Sequence, residues 1–368
     1  MKRIKLFFAC AIMIAIVSAS QAMAQVQTNV LGPVTGAKPV RVEHIKIHGA
    51  ALEGNLEGDA VDRDVIVVLP PDYEKDKERH YPVVYALHGY SIGAEQWAHE
   101  IHVPQTIEGA FADGAKEMIV VLPDSKTVYN GSMYSSSATA GDFEKFIYHD
   151  VVVYVDAHYR TIADRWSRGL VGHSMGGYGV SRIGMKHPDV FGALYIMSPC
   201  CMSPMTGSGP GPDDQMKERA IAGEKKVAAA KSPADLAAQS PGFAAAQYAT
   251  AAAWAPDPKN PPLYFDLPTK DGVPQPDIVA KFIANAPLVF VEQYIGNLKE
   301  YRAIAMDVGD HDGLRFDATK LHNLLDSYGV ANSFEIYSGT HTSAVADRFQ
   351  NHVLPFFSKN LCFTVECK

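Results

Sequence analysis

Gly172, Ser174 and Gly176 stand two residues apart in the run Gly-Leu-Val-Gly-His-Ser-Met-Gly-Gly that fills positions 169–177. This G-x-S-x-G spacing suits a very tight turn from a strand into a helix, which holds the serine in a strained conformation and leaves no room for side chains two residues to either side. A short apolar strand before the motif and a helical stretch after it, ending near His187-Pro188, supply that context. Ser174 Oγ is then expected to project from the strand end. The Met175 N–H, at the first turn of the helix, is free to bind developing negative charge.

A serine hydroxyl is a poor nucleophile until an imidazole takes its proton, and the imidazole needs a carboxylate to fix its tautomer and stabilise its charged form. With this motif the acid and then the histidine follow the serine along the chain. A strand at 303–307 runs into Val308-Gly309-Asp310-His311-Asp312-Gly313, and a strand ending at Tyr337 runs into Ser338-Gly339-Thr340-His341. Of the fourteen histidines, His341 alone lies in a Gly-containing loop after the final strand and before the last helix, so it is the expected base. His173 reads as packing, and His88 and His311 as structural. Asp312 is preferred as the acid because the chain after Gly309 has room to bend back toward His341. Asp310 is the alternative, and Asp307, at the strand end, is expected to hold the loop. The cluster lacks the D-x-D-x-D-G spacing and terminal Glu of a calcium loop. The second donor for an oxyanion is expected from Leu87-His88-Gly89-Tyr90, where Gly89 lets the backbone turn the Tyr90 N–H toward the site.

These residues need a scaffold, and the apolar pattern describes one. Strands are expected at 43–47, 64–69, 83–87, 118–122, 170–172, 193–197, 303–307 and 333–337. Several are β-branched runs without alternation, as strands buried on both faces should be. Helical spacing at 143–158, 176–186, 318–328 and 343–357 completes an α/β pattern: a mostly parallel sheet with helices on both faces and the first strands as an antiparallel edge. About 100 residues, 202–300, break the alternation and hold 13 of the 23 prolines. This segment reads as an inserted, mainly helical cap over the site, with helices at 214–231, 244–253 and 277–295, the last interrupted by Pro287. Most of its aromatics, Trp254, Tyr264, Phe265, Phe282, Phe290 and Tyr294, are expected to form the cap's own small core. Residues 129–134 are expected near the site rim. The division that follows is a polar lead at 25–40, a core at 41–201 and 301–358, the insertion at 202–300, and a tail at 359–368.

With 368 residues, 47% hydrophobic and 20% charged, the chain is long enough for a large buried core, and its composition argues against a disordered, collagen-like or multi-span membrane protein. Residues 1–24 read as a secretory signal: Lys2, Arg3 and Lys5, an apolar run at 6–17, then Ala22-Met23-Ala24 as a cleavage site. A secreted or periplasmic protein without stable membrane insertion follows. Its loss leaves 30 basic against 41 acidic residues, which disfavours nucleic-acid partners. It also leaves Cys200, Cys201, Cys362 and Cys367, whose spacing is wrong for a tetrahedral zinc site. Cys362 with Cys367 is the expected disulfide, while Cys200 and Cys201 read equally well as buried free thiols. Asn130-Gly131-Ser132 fits a glycosylation sequon, which matters only in a eukaryotic secretory pathway.

With these residues assigned, the chain resembles the esterase D-like family of α/β-hydrolases, which includes S-formylglutathione hydrolases, feruloyl and acetylxylan esterases, enterochelin esterases and mycolyltransferases. The likeness runs from about Val61 to Phe357 apart from the insertion. It is carried by Tyr81-Pro82-Val83-Val84-Tyr85-Ala86-Leu87-His88-Gly89, Ile119-Val120-Val121-Leu122-Pro123-Asp124, Tyr159-Arg160-Thr161, Gly172-His173-Ser174-Met175-Gly176-Gly177-Tyr178 and Lys186-His187-Pro188-Asp189-Val190-Phe191-Gly192. The resemblance implies an α/β-hydrolase fold, a Ser174–His341–Asp312 triad, the Tyr90 and Met175 amides as oxyanion hole, and no metal or organic cofactor. It further implies a serine esterase that cleaves a small-molecule or carbohydrate ester through an acyl-enzyme. The same triad also serves acyl transfer to an alcohol or sugar, and the same scaffold can act as a non-catalytic binding protein. The segment 202–300 is longer than many relatives carry there.

Overall fold

Apolar runs such as Val65-Ile66-Val67-Val68 and Ile119-Val120-Val121 become strands of one eight-stranded sheet. The computed structural model describes residues 28–204 and 213–367, so the expected signal at 1–24 and the first residues of the polar lead lie outside the described residues. In chain order the strands are β1 (Arg41–His48), β2 (Asp62–Leu69), β3 (Val83–Leu87), β4 (Ile119–Pro123), β5 (Arg168–His173), β6 (Ala193–Met197), β7 (Ala303–Gly309) and β8 (Ser333–Tyr337). Their spatial order is β1-β2-β4-β3-β5-β6-β7-β8. The first two strands form the expected antiparallel edge, with β2 also antiparallel to β4, and every pairing from β4 to β8 is parallel.

Successive side chains on a strand point to opposite faces, and both faces are covered. Val83, Tyr85 and Leu87 of β3 pack into one apolar layer, Val84 and Ala86 into the other. The helix over 143–158, which includes a π-helical stretch at Phe146–Val151, lies in the first layer with the helices Met175–Lys186 and Arg315–Ser327. Two helices that the sequence pattern did not disclose, Ala94–Glu100 and Gln105–Ala112, lie in the second layer with the last helical stretch, 345–360. The Asp124 carboxylate, just past β4, accepts the Ala94 N–H at 3.0 Å and so caps the first of them. Among the described residues no single helix is long and apolar enough to cross a membrane.

The segment after β6 contains helices Asp213–Ala229, Pro233–Ala238, Ala246–Trp254 and Pro276–Ala284, with residues 205–212 outside the described residues. Its aromatics differ from the expectation of a separate small core. Phe265 packs edge-on against Tyr129, Trp254 meets Tyr178, and Trp254 Nε1 donates to Ser135 Oγ, so the apolar layer of the sheet continues into the segment without a break. The first and last described stretches are tied down at opposite ends of the parallel strands. Near the amino end the Asn29 N–H donates to the Ser343 carbonyl and Thr28 Oγ1 accepts from the Ala346 N–H, both just past β8. Near the carboxyl end Cys362 is bonded to Trp166 and Ser167, just before β5 begins.

Candidate active site

The turn at Ser174 explains the glycines beside it. The serine joins β5 to the helix Met175–Lys186 with φ 58° and ψ −114°, a conformation that residues with a Cβ seldom hold. A Cβ on Gly176 would run into the Leu87 carbonyl, and one on Gly172 into the Gly176 backbone. Hydrogen bonds fix the strained peptide from both sides: the Ser174 N–H donates to the Met197 carbonyl at 3.0 Å, and its carbonyl accepts from the N–H groups of Tyr178 and Cys200 at 3.0 and 3.1 Å.

His341 Nε2 stands 2.9 Å from Ser174 Oγ, and its Nδ1 stands 2.8 Å from Asp312 Oδ2. Asp312 is buried, and its other oxygen accepts the Leu314 N–H at 2.8 Å. Burial alone raises the Asp312 carboxyl, but the hydrogen bond and charge of His341, with the Leu314 N–H, outweigh it and hold the group below the usual carboxylate range. Three groups from three loops, 138 and 29 residues apart in sequence between Ser174, Asp312 and His341, thus lie in one hydrogen-bonded line.

The neighbouring aspartates have other partners. Asp310 accepts the Gly339 N–H at 2.9 Å and pairs with His311 at 2.6 Å, so its carboxylate braces the backbone of the loop that carries His341. Those same contacts hold its carboxyl below the usual value. Asp307 does not hold this loop, contrary to the sequence expectation. Its side chain alternates into the sheet face and is fully buried, accepting from Tyr195 Oη and from Arg348 Nε at 2.8 Å each, so it anchors the last helical stretch.

His173, read as packing, also makes a specific contact: its Nε2–H donates to the His341 carbonyl at 2.7 Å. Burial, together with the charge of His341, pushes the His173 imidazole down to about 3, so this ring stays neutral. On the other side of the serine, a Cβ at Gly89 would lie 3.5 Å from Ser174 Cβ, which puts Gly89 directly against the serine side chain. His88 shapes that segment. Its Nδ1–H donates to the Gly89 carbonyl at 2.8 Å, its Nε2 accepts the Ser125 N–H at 2.9 Å, and its own carbonyl accepts from Tyr134 Oη at 3.0 Å. Met175 is the first residue of its helix, where backbone N–H groups have no partner within the helix.

Ser174 opens into a cavity of about 560 Å³. Its near wall is Tyr90, Met133, Cys200 and Cys201; its far wall comes from the segment after β6, through Phe243, Gln247 and Thr250 and, on the helix Asp213–Ala229, Arg219 and Lys226. Phe243 stands 68% exposed at the mouth, its ring centroid 5.4 Å from that of Tyr90. From the 129–134 stretch Met133 reaches the cavity, whereas Tyr129 and Tyr134 are buried in the core. None of the six aromatics singled out from the sequence of the segment lines it; Phe243, which sits in no periodic pattern, was missed. Among the described residues no cluster of three or more His, Cys, Asp or Glu is arranged to hold a metal ion.

Comparison with known proteins places the chain in a family. Residues 60–353 match the sequence model of the family described as "Putative esterase". A protein of Xylanibacter ruminicola named endo-1,4-beta-xylanase/feruloyl esterase is 32% identical over 138 residues, covering 36% of this chain and 19% of that protein. An esterase of Mycobacterium tuberculosis is 29% identical over 124 residues, covering 33% of this chain and 26% of its own. The chain therefore spans between a fifth and about a quarter of the length of these curated relatives. Among solved structures, a ferulic acid esterase superposes with a TM-score of 0.59 at 23% identity, covering 88% of this chain and 100% of its own. An S-formylglutathione hydrolase from Staphylococcus aureus superposes with a TM-score of 0.54 at 15% identity, covering 89% and 100%. These likenesses show the α/β-hydrolase fold.

Proposed function

The chain belongs to this esterase family, and from that premise we propose that it is a serine carboxylic-ester hydrolase with Ser174 as nucleophile, His341 as general base and Asp312 as the orienting acid. The observation that carries the reading is the continuous line from Ser174 Oγ through both nitrogens of His341 to Asp312. His341 Nε2 takes the hydroxyl proton as Oγ attacks the ester carbonyl, while Asp312 accepts the Nδ1–H and stabilises the imidazolium that forms. The Tyr90 and Met175 amides receive the negative charge on the tetrahedral oxygen. The imidazolium then protonates the leaving alcohol, and water, activated by the same nitrogen, releases the acid from Ser174.

The apolar cavity supports a substrate whose acyl part is an aliphatic or aromatic group of modest size, and the naming of one relative as a feruloyl esterase agrees with an aromatic acid. The leader-like residues 1–24 and the Cys362–Cys367 disulfide support action outside the cytoplasm. Ser174→Ala is expected to lower kcat on an aryl ester by about 10⁵-fold or more, with unchanged thermal unfolding, and to abolish labelling by a fluorophosphonate. Labelling of a folded Ser174→Ala protein to the level of the parent would refute the assignment.

A further inference from the structure

Cys200 and Cys201 follow one another in the chain, and neither belongs to the bridge near the carboxyl end. They close the turn after β6, and both line the cavity into which Ser174 opens. Their Sγ atoms stand 2.7 Å apart. That is closer than two unbonded sulfur atoms in van der Waals contact and is approaching the ~2.05 Å of a covalent S–S bond. Cys201 also holds φ 60°, a left-handed conformation that needs some restraint to maintain it in a residue with a Cβ. The Cys362–Cys367 bridge of the same chain marks a protein that matures where thiols are oxidised.

We propose that Cys200 and Cys201 are joined by a vicinal disulfide that forms part of the cavity wall beside the nucleophile. In its formation each thiol gives up its proton, the two sulfurs bond, and the pair of electrons passes to an oxidant disulfide, which departs as two thiols. The bridge closes a small ring on neighbouring residues and removes the side-chain rotations of both cysteines. Because the Cys200 N–H is bonded to the Ser174 carbonyl and the Ser174 N–H to the Met197 carbonyl, the ring stiffens the stretch that holds the nucleophile's peptide from behind. It also presents a flat, apolar sulfur face to the acyl group. Ordinary disulfides join Cα atoms roughly 4.4–6.8 Å apart, whereas consecutive Cα atoms are about 3.8 Å apart, so this bridge is strained and yields to thiol reductants before a relaxed one does.

The bridge itself stands on the sulfur geometry, while its role as a substrate wall rests on the esterase reading, and the test separates the two. The full chain is expressed for export, purified without reductant, denatured, treated with iodoacetamide and mapped by mass. The peptide carrying Cys200 and Cys201 is expected unmodified and two hydrogens lighter than its dithiol form, and after mild thiol treatment it takes up two alkyl groups. Two alkyl groups before any reduction would overturn the bridge whatever the enzyme turns over. Opening the bridge in the native protein, verified by the same map, is expected to raise KM for an aryl ester several-fold with a smaller change in kcat. The Cys200→Ser/Cys201→Ser protein should show no response to reductant, and the Cys362→Ser/Cys367→Ser protein should respond as the parent does. An unchanged KM on opening the bridge would overturn the wall role while leaving the disulfide in place.

Discussion

The two sides of the cavity are built differently. On the sheet side, Ser174, Asp312 and His341 are held by backbone: a strained turn that only glycines permit, and two loops stitched together by the Asp310 N–H to Tyr337, His311 N–H to Gly339 and Gly339 N–H to Asp310 bonds. On the far side, Phe243, Gln247 and Thr250 stand on short helical turns of a segment rich in proline and alanine that packs onto the apolar layer of the sheet. Backbone constraint fixes distances between reacting atoms, and packing fixes shape. Substitutions on the first side should therefore act on the chemical step, and those on the second on which ester is accepted.

The sharpest separation lies within the 310–312 turn. Asp312→Asn removes the group that orients the His341 tautomer and is expected to lower kcat by about 10⁴-fold. Asp310→Asn keeps an oxygen to accept the Gly339 N–H and is expected to stay within about tenfold of the parent. Equal losses in steady-state kinetics would break the distinction between the two carboxylates. Next in size, Gly176→Val forces a side chain into the Leu87 carbonyl and is expected to cost roughly 3 kcal/mol or more in urea unfolding. The same change at the exposed Gly313, which has open space around it, should cost far less.

The third test concerns the helical layer beneath the site. Buried Glu144 meets Arg182, Lys186 and His187, and although burial raises its carboxyl, the His187 hydrogen bond and the charges of Arg182 and Lys186 pull it down to about 2 from the usual 4.5. A carboxyl depressed in the folded state adds stability that is fully present above its unfolded value and fades as pH falls from about 4.5 toward 2, here on the order of 3 kcal/mol. Glu144→Gln should flatten that part of the stability-against-pH curve; a slope equal to the parent's would refute the contribution. The smallest effect is expected at the rim, where Phe243→Ala should raise KM for an aryl ester about threefold, equivalent to less than 1 kcal/mol for a ring still largely in water, with kcat unchanged. A loss confined to kcat would place Phe243 with the chemistry instead.

Sequence reading reached the sheet side well and the far side poorly, for one physical reason. All eight strands were expected, the central ones because double burial writes an unbroken apolar run into them, and the largest error was at strand ends such as 168–169 and 308–309. The serine turn was legible because steric exclusion demands glycine at fixed offsets. Ala94–Glu100 and Gln105–Ala112 escaped because each is two turns or so long and begins next to Gly93 or Pro104, which read as breaks. His173 to His341 and Tyr134 to His88 are contacts across 168 and 46 residues, and no local pattern announces a hydrogen bond to a distant carbonyl. Phe243 escaped likewise, since its neighbours Gly242 and Ala244 give it no period to belong to.

The amino-terminal strap has a practical bearing on handling the protein. Thr28 and Asn29 are tied to Ala346 and Ser343, five and two residues past His341, while Cys362 is tied down at the far end of the sheet. A fusion partner joined directly to Thr28 therefore starts near the loop that carries His341, whereas one attached after the last cysteine leaves from the opposite end of β5.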